Sequence, residues 1–121
     1  MEHSVRVLIA DDQVHIRQGL QALLAAWPEI EVVGMAANSV EIMQRVEEYQ
    51  PDVVLMDIPT PAGLERLEVI HHLKSRSPPV RIVVLTMYTT HRAAALAAGA
   101  DAFLLKGGSA QALRDAILKT K

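Results

Sequence analysis

The run Asp52-Val53-Val54-Leu55-Met56-Asp57-Ile58-Pro59-Thr60-Pro61 constrains the fold of this chain more than any other stretch. Four apolar residues in a row, closed by an acid and then two prolines, read as a short strand buried on both faces. Strands of that kind belong to parallel sheets covered by helices. The end of the run carries the functional information. A parallel strand that stops in an aspartate sets a carboxylate at the carboxyl edge of the sheet, where open α/β folds keep their sites. One aspartate there is ordinary turn chemistry. A site requires other strands to bring matching groups to the same edge.

The rest of the chain supplies them. Val5-Arg6-Val7-Leu8-Ile9-Ala10 reads as a first strand ending at Asp11-Asp12. Ile16, Leu20, Leu23, Leu24 and Trp27 then form one stripe of an amphipathic helix, which Pro28 stops. Glu31-Val32-Val33-Gly34-Met35-Ala36 is a second strand. Asn38 with Glu41 three residues on resembles a capping box, opening a helix with Ile42, Met43, Val46 and Tyr49 on its inner face. After the Asp57 run, Leu64, Leu67, Ile70 and Leu73 make a third stripe, ended by Ser77-Pro78-Pro79. Arg81-Ile82-Val83-Val84-Leu85 is a fourth strand closing on Thr86. A short Ala-rich helix from about His91 to Ala98 ends at Gly99, and it has few large apolar residues to anchor it. Ala102-Phe103-Leu104-Leu105 is a fifth strand closing on Lys106, and Ser109 caps a last helix with Leu113, Ala116 and Ile117 inside.

Five strands alternating with five helices predict a doubly wound five-stranded parallel sheet. Right-handed crossovers put every strand's carboxyl end on one edge. In the order 2-1-3-4-5 the first and third strands are neighbours, and Asp11, Asp12 and Asp57 converge with Thr86 and Lys106 beside them. Three carboxylates less one ammonium leave a negative excess that a cation relieves. Hard oxygen donors suit Mg²⁺ (or Mn²⁺), which takes one or two carboxylates together with phosphate oxygens and water. Next to such an ion and a lysine, Asp57 has the setting of a nucleophile toward a phosphoryl donor.

Composition narrows the classes. A chain of 121 residues, half of them hydrophobic and 3% aromatic, is expected to form one domain over 1–121 with an aliphatic core. The absence of cysteine excludes disulfides and thiolate metal sites and fits a reducing compartment. The start, Met1-Glu2-His3-Ser4, has no signal-peptide pattern, and no apolar run approaches the ~20 residues that span a bilayer. A net charge of −2 without a Lys/Arg cluster gives no footprint for nucleic acid. His3, His15, His71, His72 and His91 show no ligand spacing, and the adjacent pair at 71 and 72 reads as solvated. The expectation is a cytoplasmic domain that touches neither membrane nor nucleic acid.

These residues resemble the receiver domain of two-component response regulators, the flavodoxin/CheY-like (βα)5 fold, along essentially the whole chain. The resemblance rests on Ile9-Ala10-Asp11-Asp12, Val54-Leu55-Met56-Asp57, Val83-Val84-Leu85-Thr86 and Gly99-Ala100-Asp101-Ala102-Phe103-Leu104-Leu105-Lys106. Met56-Asp57, Leu85-Thr86-Met87-Tyr88 and Lys106-Gly107 are most similar to receivers of the NarL/FixJ type, which are joined to a helix-turn-helix output domain. The resemblance implies that Asp57 accepts a phosphoryl group from a histidine kinase. It implies Asp12 as direct Mg²⁺ ligand, Asp11 acting through water, and the backbone carbonyl of Pro59 completing the metal site. Thr86 and Lys106 would bind the phosphoryl group, and Phe103 would be the aromatic whose rotamer follows Thr86. Partners would be the kinase, an output domain controlling transcription, and a second copy held weakly through the fourth helix, fifth strand and fifth helix. Such a protein is a switch rather than an enzyme, beyond transferring and losing its own phosphoryl group.

The chain departs from the family where Ile58-Pro59-Thr60-Pro61-Ala62-Gly63 replaces the usual Pro-Gly-x-x-Gly-like loop with only Pro61 kept, and where the stretch between Thr86 and Lys106 is about two residues short. The alternative function is a degenerate receiver that keeps the acids but serves as a protein-interaction module. An aspartate-based phosphatase wants a second Asp where Pro59 stands, and a flavodoxin-like carrier wants a Ser/Thr/Gly-rich loop after the first strand. This chain has neither.

Overall fold

A computed structural model describes residues 4–59 and 63–119. Ten elements alternate: β1 (Val5–Ala10), α1 (Val14–Ala25), β2 (Ile30–Ala36), α2 (Ser39–Tyr49), β3 (Val53–Met56), α3 (Leu64–Arg76), β4 (Arg81–Thr86), α4 (Arg92–Ala98), β5 (Ala102–Leu105) and α5 (Ala110–Lys119). The strands form one parallel sheet in the order β2-β1-β3-β4-β5. This is the doubly wound arrangement that the alternation predicts.

Side-chain alternation along the strands divides the core in two. Leu8, Val54, Met56, Ile82 and Val84 face one side, where Ile42 and Val46 of α2, Val69, Ile70 and Leu73 of α3, and Ala95 of α4 cover them. Val7, Ile9, Val53, Leu55, Val83 and Leu85 face the other, against Leu24 of α1 and Leu113 and Ile117 of α5. All four residues of β3 are buried, which is why that strand reads as a continuous apolar run. Trp27 closes the edge of the second layer, half-buried, as its place at the end of the helical stripe suggests.

The boundaries follow the local chemistry. Asn38 caps α2 by accepting the Glu41 amide at 2.9 Å, while the Glu41 carboxylate accepts the Ala37 amide at 2.7 Å, one residue earlier than a strict capping box. Ser109 caps α5 by accepting from the Ala112 amide at 2.9 Å. The first helix ends at Ala25, short of Trp27, whose amide still donates to the Leu24 carbonyl at 3.0 Å. Gly99 ends α4 at φ 122°, and a Cβ there would lie 2.7 Å from Cγ of Lys74. That lysine donates to the Val80 carbonyl at 2.8 Å and meets Asp101 at 3.2 Å, while Asp101 also accepts the Ile82 amide at 2.8 Å. In β2 the pairing with β1 slips by one residue, from Val7 opposite Val32 to Leu8 opposite Gly34. The glycine makes room for the ring of Tyr49, 2.9 Å from where its Cβ would be.

One charged side chain is buried off the apolar stripe of its helix. Arg66, in the first turn of α3, is 4% exposed. Its guanidinium donates to the Ser39 hydroxyl at 2.7 Å and meets the exposed Glu65 carboxylate only at 3.5 Å, and its Nε has no partner among the described residues. A buried cation held by a neutral hydroxyl recovers little of its desolvation cost. Arg66→Met is therefore expected to hold or raise stability, by up to about 2 kcal/mol. Ser39→Ala should lower it by about 1–3 kcal/mol, because it removes the closest acceptor. Urea unfolding of the three proteins checks both, and a clear loss of stability in Arg66→Met would show the guanidinium to be properly compensated.

Candidate functional site

The site is built by the β1–β3 ladder. Ala10 pairs with Met56, and the Asp57 amide donates to the Ala10 carbonyl at 3.0 Å, so the next residue of each strand, Asp11 and Asp57, leaves the sheet side by side. Asp11 is 2% exposed and fully engaged. Its amide donates to the Ala36 carbonyl at 3.1 Å, one carboxylate oxygen accepts the Gln13 amide at 3.0 Å, and the other accepts from Nζ of Lys106 at 3.0 Å. Asp12 is exposed, free to point at solvent or an ion. One oxygen from each of Asp11, Asp12 and Asp57 lies within 4.8 Å of the others. This donor set could hold a metal ion, and its hard oxygens fit a small divalent cation.

Lys106 leaves the end of β5, where its amide donates to the Thr86 carbonyl at 2.7 Å. Its ammonium spans the acids, 3.0 Å from Asp11 and 3.6 Å from Asp57, and is mostly shielded from water. Thr86, buried at the end of β4, donates its hydroxyl proton to the Ile58 carbonyl at 3.1 Å and stands within reach of the Asp57 carboxylate. The Ile58 side chain is itself anchored in the core, so that carbonyl is held in place. Burial pushes the Asp57 carboxyl above its ordinary value. The Lys106 charge opposes that rise, and the Asp11 charge adds to it.

The structure thus brings Asp11, Asp12, Asp57, Thr86 and Lys106 to one place. Pro59 follows directly, half-buried, and has no amide hydrogen to offer there. Of the loop after it, Thr60, Pro61 and Ala62 lie outside the described residues. Phe103 is buried beneath α4, with the Arg92 guanidinium 5.8 Å from its ring centroid. Two arginines at the site carry no signal in the sequence. Besides Arg92, Arg17 donates to the Asp11 backbone carbonyl at 2.6 Å, steadying the β1–α1 turn. Both look like ordinary solvated helix residues until the turns of the chain are known.

The response regulator receiver domain model matches residues 7–118, and the chain belongs to that family. Among curated proteins it is 40% identical to the DNA-binding transcriptional activator DevR/DosR of Mycobacterium tuberculosis, over 84% of this chain and 48% of that protein. It is 36% identical to the transcriptional regulatory protein DegU of Brevibacillus brevis, over 96% of this chain and 50% of that one. The chain therefore spans about half the length of the curated relatives it matches. Among solved structures it superposes on the NarL receiver domain of M. tuberculosis with TM-score 0.83 and 27% identity, covering 97% of this chain and 98% of that one. On a LuxR-family response regulator of Staphylococcus aureus it reaches TM-score 0.85 and 28% identity, covering 96% and 98%. Receivers are signalling domains of two-component systems rather than conventional enzymes. Among the described residues no helix is long and apolar enough to cross a membrane.

Because the folded state raises the Asp57 pKa, the folded chain holds that proton more tightly than the unfolded chain does. Without metal, stability should fall as pH rises from the ordinary value of 3.8 through the raised one, and stay lowered above it. Asp57→Asn should remove that fall and raise the metal-free melting temperature at pH 7 by on the order of a few degrees. Melts of both proteins across this window decide it. A variant that melts lower at neutral pH would make Asp57 a structural hydrogen-bond acceptor first.

Proposed function

We propose that this domain is a phosphorylation switch in which Asp57 takes a phosphoryl group from a histidine kinase, with transcription as its output. The observation that carries the reading is the convergence of three carboxylates at the ends of β1 and β3 with Lys106 and Thr86 against them. An oxygen of Asp57 attacks phosphorus, the phosphorus–nitrogen bond of a phosphohistidine breaks, and the imidazole leaves with the electron pair. Lys106 is placed to neutralise a phosphoryl oxygen. Thr86 would release the Ile58 carbonyl to donate to the phosphoryl group, and Phe103, under α4, would read that movement. Asp12, Asp57 and the carbonyl of Pro59 would hold Mg²⁺ (or Mn²⁺) with Asp11 behind them. Bound there, the ion supplies charge neutralisation for carboxylates and phosphoryl oxygens alike. The output would be a DNA-binding domain of the kind named in DevR/DosR. Leu96 and Leu105, exposed on α4 and β5, suit a weak contact with a second copy. The setting is the cytoplasm, with no membrane or nucleic-acid contact from this domain.

A second reading, a partner-binding receiver with impaired phosphotransfer, is favoured by Pro59. The residue two after the acceptor would normally offer an N–H to a phosphoryl oxygen, and proline has none. A charge-assisted donor of that kind contributes about 1.5–3 kcal/mol, and donors preorganised toward developing charge matter ~10²-fold or more in rate. Acetyl phosphate with Mg²⁺ should therefore label Asp57 slowly in the wild type and substantially faster in Pro59→Asn and Pro59→Ala. Mg²⁺ affinity should survive in all three and drop in Asp12→Ala, as calorimetry would show. Brisk labelling of the wild type, unchanged by either substitution, would leave Pro59 as a loop-stiffening residue and discard the second reading.

A further inference from the structure

Two consecutive side chains at the start of α4 grip different parts of the molecule. The imidazole of His91 lies on Gly63, the residue that precedes α3 and ends the connection from Asp57. A Cβ on Gly63 would stand 2.5 Å from Nε2, 2.7 Å from Cδ2 and 2.8 Å from Cε1, so the ring occupies the space that any other residue would fill. Gly63 has φ −77°, an angle open to every residue, so backbone conformation does not call for glycine there. Contact with the ring does. His91 caps nothing with its side chain, its Nε2 is buried without a partner among the described residues, and the ring meets Gly63 through Nε2, Cδ2 and Cε1. The next residue, Arg92, extends over Phe103 of β5.

We propose that His91 is a positioning residue for the phosphoacceptor site: seated on Gly63, it holds the start of α4 against the start of α3, and Arg92 carries that hold across to Phe103. The proposal rests on the phosphoacceptor reading of Asp57 for its functional part, while the clasp itself is a property of the metal-free fold. It explains how a helix of seven residues, too short to persist on its own, is held at the place where Thr86 and Phe103 must respond together. The chain between Thr86 and α4 is pinned at its far end, so motion at the acid site and motion of α4 are one event.

A double-mutant cycle tests this. His91→Ala, Gly63→Ala and the double variant are compared with wild type in two measurements on the intact chain: hydrogen exchange of the α4 amides without metal, and the affinity for beryllofluoride with Mg²⁺. His91→Ala should speed α4 exchange by about tenfold or more and weaken beryllofluoride binding several-fold, with exchange in β1 and β3 unchanged. Gly63→Ala should do the same alone but add almost nothing to His91→Ala, because the smaller side chain vacates the contested space. Equal cost of Gly63→Ala in both backgrounds, or unchanged α4 exchange in His91→Ala, overturns the clasp. Faster α4 exchange with unchanged beryllofluoride affinity overturns the positioning role. Wild type that fails to bind beryllofluoride at all rejects the phosphoacceptor reading instead, and the exchange cycle still decides the clasp.

Discussion

Register between β1 and β3 is the constraint on which the rest depends. Parallel pairing of Val7-Leu8-Ile9-Ala10 with Val53-Val54-Leu55-Met56 buries all eight side chains, and sliding one strand by a residue would exchange its two apolar sets between differently shaped core layers. The same register forces Asp11 and Asp57 out of the sheet as neighbours. Their mutual repulsion is therefore a consequence of core packing, and the fold tolerates it because Lys106 from β5 reaches both. Packing and chemistry are coupled here through one hydrogen-bond ladder. A substitution deep in either strand that disturbed register would dismantle the acid cluster without touching any of its members.

The lysine that makes the metal-free state tolerable also competes with any cation for Asp11. Thr86 shows the same double commitment, since the hydroxyl proton a phosphoryl group would need is already given to the Ile58 carbonyl. Neither group is idle in the resting structure. Each would have to leave one partner to serve another.

The layered fold was legible because its signals are local and repetitive. Apolar runs closed by polar residues gave the strands, helical stripes gave the buried faces of α1, α2, α3 and α5, and Asn38, Ser109 and Gly99 marked the start of α2, the start of α5 and the end of α4. The acid cluster was legible for a related reason, since topology alone carries strand ends to a common edge. Contacts between segments distant in sequence were not. Nothing in the text of the chain links Arg66 to Ser39, His91 to Gly63, or Arg92 to Phe103, because each pairing depends on how far one helix advances past another. The fourth helix is the instructive case. Its sequence has few large apolar anchors, and its contacts come instead from buried Ala95, from His91 on Gly63 and from Arg92 over Phe103.

The slip in β2 has a consequence for how this molecule behaves in company. Beyond Val33, Met35 lies on the same core layer as Val32, three positions earlier, which an unbroken strand would forbid. The strand therefore fits both layers while losing the flat, regular row of amides and carbonyls that a foreign strand would need to pair with. At the opposite border β5 is only four residues long. Short, charged or bulged borders are how open sheets avoid recruiting one another into fibrils. Both borders of this sheet are so equipped, by the bulge at β2 and the brevity of β5, so the protection lies in the backbone rather than in surface charge.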